Sequence, residues 1–336
     1  MSSVIDSPKL QGGEASNKRP LNPWKPEKRY REPRKPIKGI GSLNGRWGYL
    51  FTAPFFVMFL IFGLAPIIYS TYIAFFNWDP LNPGPQIFNG LDNFTNLLTD
   101  NRFWIALVNT LDIWAMSTFP QMAISIGLAA ILRSKVLKGA TFWRTILLVP
   151  NITSVIAIAI VFGQLFSRDY GMVNLVLGVF GIPHVDFIEG TTASHIAIAT
   201  MITWRWAGYN ALIFLASMLA IPDELYESAA LDGASSWKQF IYVTLPQLKN
   251  TITFVLIVGT IGGLQVFAEP LTLGGSMDGG SSRQFSTLTL FLYEQAFVNN
   301  KWGYAAAVGI LITVIVLIVS LINFFITRRL AGEGSE

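Results

Sequence analysis

Asp112, Arg205 and Glu269 lie within or near the ends of long apolar runs. An ionisable side chain there costs roughly 2.5 to 3.5 kcal/mol on insertion scales and marks a functional candidate by default. Arg205 is the deepest of the three and stands between Trp204 and Trp206. Indole faces stack on the apolar surfaces of a sugar, and Arg205, Asn210, Thr260 and Gln265 can exchange hydrogen bonds with hydroxyls. A plainer reading is open beside this one: Arg205 pairs with Asp112 or Glu269 and holds the helices together, as polar residues do between membrane helices. In that reading Asp112 reaches the outer interface, and Glu269, followed by Pro270, caps a broken helix. Covalent and metal chemistry have little to work with. The chain has no cysteine, which excludes disulfides, thiolate zinc sites and cysteine nucleophiles, and its two histidines, His184 and His195, exclude a histidine-rich metal site. His195 reads as an interfacial histidine. No nucleophile, acid and base converge, so the chain is not expected to be an enzyme.

These groups must be positioned by membrane helices. Of 336 residues, 52% are hydrophobic and only 13% charged, against about 25% charged in an ordinary soluble domain. Apolar stretches of about 20 residues fall at 48–76, 104–132, 145–166, 193–220, 251–273 and 303–327, which predicts an all-α polytopic membrane protein with six transmembrane helices over 47–330. Pro66, Pro120, Pro150 and the group Gly259, Gly262, Gly263 interrupt these runs, which a packed bundle tolerates when neighbours satisfy the freed backbone groups. Trp47, Trp78, Trp104, Trp143 and Trp302 sit at span ends, at headgroup level.

The charges orient the bundle. Residues 1–46 hold eleven Lys/Arg against four Asp/Glu, with Pro20, Pro23, Pro26, Pro33 and Pro36 spaced among them, and read as a disordered or extended cytoplasmic tail beside an anionic lipid surface. No nucleic-acid partner needs to be invoked. With the N-terminus inside, the inner segments carry nineteen Lys/Arg and the outer ones four, Arg102, Arg168, Arg283 and Lys301. The positive-inside rule then puts both termini, including 331–336, and the loop 221–250 in the cytoplasm.

That loop is unusual for an inner segment, because Asp223, Glu224, Glu227 and Asp232 outnumber Lys238 and Lys249. Its acidity points to a protein partner rather than the lipid surface. Residues 223–231 predict a short helix with an acidic first turn, slim at Ala229 and Ala230 and ended by Gly233. A second helical turn starts near Ser235, and Pro246 restricts the entry to the fifth span.

The stretch Glu227-Ser228-Ala229-Ala230-Leu231-Asp232-Gly233, followed after nine residues by Val243-Thr244-Leu245-Pro246, resembles the EAA loop of binding-protein-dependent ABC importer permeases, with Ser228 and Val243 replacing the usual Ala and Ile. Phe88-Asn-Gly-Leu-Asp-Asn-Phe94, Asn109-Thr110, Asp169-Tyr-Gly171, Thr272-Leu-Gly-Gly-Ser276 and Gly303-Tyr-Ala-Ala306 are similar to carbohydrate-importer permeases of the maltose-permease type, the first of the two paired subunits. Trp204-Arg-Trp-Ala-Gly-Tyr-Asn210 and Leu264-Gln-Val-Phe-Ala-Glu-Pro270 look most like permeases for cellobiose, lactose and related oligosaccharides.

The resemblance implies the type I ABC importer fold in a bacterial or archaeal cytoplasmic membrane. It implies a second, paralogous permease, two cytoplasmic ATPases and an extracytoplasmic solute-binding protein as partners. It also implies ATPase contacts at Glu227, Ser228, Ala229, Ala230, Asp232 and Gly233, with Leu245 and Pro246 fixing the loop to the fifth span. In that type the sugar path runs along the stretches matching Trp204 to Ala211 and Ile257 to Leu264, which adds Gly208 and Leu264 to Trp204, Arg205, Trp206, Asn210, Thr260, Gln265 and Glu269. The chain has no G-x-x-x-x-G-K-[ST] phosphate cradle, so it needs no cofactor of its own, and ATP and Mg belong to the partner ATPase. The competing expectation is a self-sufficient ion-coupled secondary transporter of a small neutral solute, which would show inverted repeats.

Overall fold

A computed structural model describes residues 45–81, 86–134 and 137–330. Nearly all of the basic tail and all of 331–336 lie outside them, as does Lys135. The chain divides into a unit ending at Phe59 and a larger one from Leu60.

Helix α1 (Gly45–Met58) is followed by a π-helical segment, Phe59–Leu64, and by α2 (Ala65–Ile73). Strands β1 (Phe76–Asn77) and β2 (Ile87–Phe88) pair antiparallel, with Phe76 opposite Phe88. Then come α3 (Asp92–Thr99), α4 (Asn101–Arg133), α5 (Ala140–Ile152), α6 (Val155–Leu165), α7 (Met172–Val179) and α8 (Thr191–Leu219). The loop after α8 holds α9 (Asp223–Leu231), α10 (Ser236–Gln239), a π segment Phe240–Thr244 and α11 (Leu245–Gln247). The chain closes with α12 (Lys249–Gly263), α13 (Ala268–Gly274), α14 (Leu288–Tyr293), a π segment Glu294–Val298 and α15 (Trp302–Leu330).

Two of the π segments precede a proline, Pro66 and Pro246. Proline has no N–H and its ring crowds the carbonyl four residues back, and a wider turn relieves both problems without ending the helix.

Three described helices are long and apolar enough to cross a membrane: Tyr49–Ile73, Asn101–Arg133 and Trp302–Thr327. The third expected span is two helices, α5 and α6, bent by 93° where Thr153, just past Pro150, is extended. The fifth also departs from one straight span: the stretch 236–247 meets α12 at 65°, and α12 ends at Gly263, short of the expected 273. Helix α8, over the fourth expected span, does not reach the same apolarity, because it is the most enclosed helix and spends its polar residues on neighbours.

In the larger unit α8 packs along α4 and against α5, while α15 packs on α12, α14, α3 and α2. One apolar cluster joins Ile113, Phe162, Phe187, Met201 and Phe285; another joins Leu97, Phe103, Leu264, Phe291 and Val308; a third joins Leu132, Phe214, Met218 and Leu248. Gly208 sets the α8 to α5 distance, since a Cβ there would lie 1.9 Å from the Leu147 carbonyl oxygen.

Polar ties fix the segment between α13 and α14. Asn109 donates to the carbonyls of Arg283 (2.8 Å) and Ser286 (3.0 Å), and Thr110 accepts from the Leu288 N–H at 2.9 Å. His195 belongs to this network. It is buried, with Nε2 3.0 Å from the Gln284 carbonyl and Nδ1 3.7 Å from Asp112, which corrects its reading as an interfacial residue. The carbonyl of Gln284 gives the ring a partner that makes burial tolerable.

Candidate functional site

A cavity of about 460 Å³ opens between α4, α8, α12 and α13. Helix α8 contributes Arg205, Trp206, Tyr209 and Asn210, and α4 contributes Ser117, Thr118 and Gln121. A further wall is the irregular stretch 264–267 between α12 and α13, from which Gln265, Val266 and Phe267 line the space. Non-helical backbone at membrane depth survives where it lines a cavity and its polar groups are met. Here the Thr287 hydroxyl donates to the Val266 carbonyl at 2.9 Å.

The charged centre of the cavity is one ion pair, Arg205 Nη1 to Glu269 Oε1 at 2.8 Å. The break before Glu269 is present, but its carboxylate turns to Arg205 rather than capping α13, whose N-cap, Phe267, has no side-chain hydrogen bond. The Arg205 guanidinium also stands 5.6 Å from the Trp206 ring centre, and its Nε is buried without a partner. Fixed donors, two aromatic faces and side-chain amides around a partly neutralised pair suit a hydroxyl-rich neutral molecule better than an ion.

Of the residues expected along the solute path, Arg205, Trp206, Asn210, Gln265 and Glu269 come together here. Four others lie elsewhere. Trp204 faces away, 5.6 Å from the Phe162 ring. Gly208 faces α5. Thr260 is fully buried, donating to the Leu256 carbonyl and accepting from Asn323 at 2.8 Å, and Leu264 is enclosed in the cluster with Phe291. Ser117, Thr118 and Gln121 were not anticipated, and Tyr209 lies in the expected stretch Trp204 to Ala211 without being singled out there. Three polar residues at spacings of one, three and four around Pro120, in a mostly apolar span, are the signal that points to the α4 trio. Among the described residues no group of three or more His, Cys, Asp or Glu could hold a metal.

The second candidate site is the loop after α8. Helix α9 begins with Asp223 and Glu224 in its first turn and ends in a Schellman motif. Gly233 has φ +77°, its N–H donates to Ala230, and the Ala234 N–H reaches back to Ala229 at 2.9 Å. Ser235 caps the next helix by accepting from the Lys238 N–H, so the predicted two-helix knob forms with its joint at Gly233. Its root is tied on two sides. Tyr226 hydrogen-bonds Thr244 at 2.9 Å, while the Arg133 guanidinium lies 4.1 Å above the Tyr226 ring and 3.7 Å from Asp223. The rim is open: Glu227, Ser228, Ala230, Asp232 and Gly233 are exposed, and Leu231, Trp237 and Tyr242 keep 90%, 70% and 76% of their surface.

Residues 121–332 match the family described as "binding-protein-dependent transport system inner membrane component". The arabinooligosaccharides transport system permease protein of Bacillus subtilis (strain 168) is 36% identical over 287 residues, covering 85% of this chain and 90% of that protein. The lactose transport system permease protein of Rhizobium radiobacter is 33% identical, covering 88% and 98%. A chain of a bacterial ABC transporter involved in the import of the acidic polysaccharide alginate superposes with a TM-score of 0.71 at 26% identity, covering 85% of this chain and 96% of that one.

Proposed function

The chain belongs to the family of binding-protein-dependent transport system inner membrane components, and from that premise we propose that it is the permease subunit of a sugar ABC importer. It forms half of the pathway for a neutral di- or oligosaccharide, as the first of two paralogous permeases in a bacterial or archaeal cytoplasmic membrane. A solute-binding protein delivers the sugar from outside. Two ATPase subunits, which hold ATP and Mg, dock inside on the loop 221–250. Both termini are cytoplasmic.

The observation that carries this reading is the exposed knob. Leu231, Trp237 and Tyr242 stand exposed on a loop that also carries Asp223, Glu224, Glu227 and Asp232, and exposed apolar side chains rimmed by polar ones mark a protein contact. Slim Ala229 and Ala230 let a partner's groove close on α9, Glu227, Ser228 and Asp232 add polar anchors, and Gly233 lets the chain reverse without strain. Leu245 and Pro246 continue from the knob towards α12, so a push on α9 reaches the cavity wall through one connected run of chain. On the solute side the names of the relatives favour a sugar, and the aromatic and amide lining around Arg205 suits one.

The test is vesicle uptake of radiolabelled disaccharide by this chain purified with and without its partners. Uptake is expected only with the second permease, the ATPases, the binding protein and ATP. Uptake by the lone chain driven by an ion gradient would overturn the importer reading. Gly233→Asp is expected to insert normally and to lose the ATPases on copurification; normal ATPase recovery would sink the docking role of the loop.

A further inference from the structure

A second cleft, of about 480 Å³, lies between the start of α15, the π segment before it and α3. It shares no lining residue with the cavity around Arg205. Its walls are polar: Asn96, Asp100, Gln295, Lys301 and Tyr304, with Trp78 at one side.

Gln295 is the anomaly. It is fully buried, lines the cleft, and neither its amide nitrogen nor its amide oxygen has a hydrogen-bond partner in the protein. Leaving one such buried group unmet costs about 1 to 3 kcal/mol, which a molecule in the cleft offering both a donor and an acceptor would relieve. A π segment at Glu294–Val298 holds Gln295 there; such bulges often sit at functional positions. Its register is locked on either side, by the Glu294 fork to Arg283 at 3.0 Å and by the Lys301 N–H donating to the Gln295 carbonyl at 2.9 Å.

Asp100 and Arg102 cancel within the cleft, which leaves Lys301 as the remaining charge of its lining. Burial pushes the Asp100 carboxyl up, but hydrogen bonds from Arg102 and Tyr304 outweigh it and hold the group below the usual carboxylate value. Asp100 is thus an acceptor, and its charge is already matched by Arg102 at 2.7 Å. Lys301 is exposed at the rim. Asp100 and Tyr304 are engaged with each other and with Arg102, so the amides of Gln295 and Asn96 and the indole of Trp78 are what the cleft offers to the hydroxyls and the apolar face of a sugar ring.

We propose that this cleft is a saccharide subsite at the outer face, separate from the transmembrane cavity, with Gln295 as its central hydrogen-bonding group. The inference rests on the importer reading above, which makes this end extracytoplasmic and the cargo a sugar.

The chain has no cysteine, so Asn96→Cys places a single thiol of this subunit on the exposed face of α3 at the cleft. The assembled importer carrying it, in proteoliposomes without binding protein, is treated from outside with a membrane-impermeant maleimide, and modification of this chain is followed by mass spectrometry. Millimolar cellobiose or lactose is expected to cut the labelling rate to half or less, while glycine betaine at equal osmolality leaves it unchanged. Adding Gln295→Leu is expected to abolish the protection. The Asn96→Cys protein decides the main question by itself, so poor assembly of the Leu variant leaves the result standing. ATP-driven uptake is measured on the same vesicles. A complex that imports sugar but whose thiol neither disaccharide protects overturns the cleft proposal alone. A protected thiol in a complex without ATP-driven uptake overturns the importer reading instead. Protection by sugar-free binding protein, with none from either disaccharide, would make the cleft a protein-docking surface and also overturn the proposal.

Discussion

The hydroxyl of Tyr226 lies 2.9 Å from Thr244 Oγ1, which bolts the first helix of the exposed loop to the π segment that leads into α11 and α12. The same ring lies under the Arg133 guanidinium, in the last turn of α4. One residue therefore links α9 to α4, which walls the cavity, and to the π segment that leads towards α12, which also walls it. If the loop is the point where force enters, Tyr226 is the joint that stops α9 from swinging independently of the bundle.

Tyr226→Phe removes the hydrogen bond and keeps the ring under Arg133. A net hydrogen bond is worth about 1 kcal/mol, close to a fivefold change in an equilibrium. The expected outcome is normal assembly with a lower ratio of sugar moved to ATP hydrolysed. An unchanged ratio would show that the bolt is not part of coupling.

Gly208→Ala tests the closeness of α8 and α5. The added methyl would have to sit 1.9 Å from the Leu147 carbonyl oxygen, and that obstacle is backbone, which cannot rotate aside. Overpacking of this kind costs roughly 1 to 3 kcal/mol. A lower Tm of the solubilised complex is expected, with little effect from Gly127→Ala, where a Cβ meets nothing within 4 Å. Equal Tm values for the two variants would contradict the packing.

The loop was legible in the sequence because its determinants are local. An acidic first turn, Gly233 and Pro246 each dictate backbone geometry within a few residues. The cavity around Arg205 was only half legible, because which face of a membrane helix looks inward depends on partners far along the chain. Trp204 and Trp206 looked equivalent, yet one meets Phe162 and the other lines the cavity with Arg205. Thr260 looked like a ligand for hydroxyls until Asn323, 63 residues on, took its oxygen. The hidden role of His195 was likewise invisible, since it depends on long-range packing, whereas the bend at Thr153 follows Pro150, a local signal.

Asp186 gives a pH dependence with a defined sign. The N–H groups of Glu189 and Ile188 donate to its carboxylate, and with Arg168 at 3.1 Å they hold its carboxyl below the usual value. A lowered folded-state pKa contributes stability that is present above the unfolded value, about 3.9, and is lost as the pH falls through the folded one. Asp186→Ala is expected to lower Tm at pH 7 and to fall less steeply than the parent between about pH 5 and 3. Parallel curves for the two proteins would refute the assignment.

Arg205 and Glu269 call for a test that separates holding the bundle from touching the solute. The Arg205 side chain keeps 20% of its surface and that of Glu269 9%, so the pair is mostly but not wholly withdrawn from water. Glu269→Gln strands a cation among apolar walls. The loss should be roughly 1 to 3 kcal/mol, short of the 3 to 5 of a fully buried pair, because the open cavity still solvates the guanidinium. Replacing both members, Arg205→Met with Glu269→Met, removes the charge imbalance and is expected to restore most of the Tm lost by the single variant. Stability and transport should then part company. If the pair also meets the sugar, the double variant regains Tm while ATP-driven uptake stays below roughly a tenth of the parent rate, because a polar site stripped of its donors cannot hold hydroxyls. Recovery of uptake along with Tm would reduce the pair to a structural clasp and move the solute contacts to Trp206, Asn210 and Gln265.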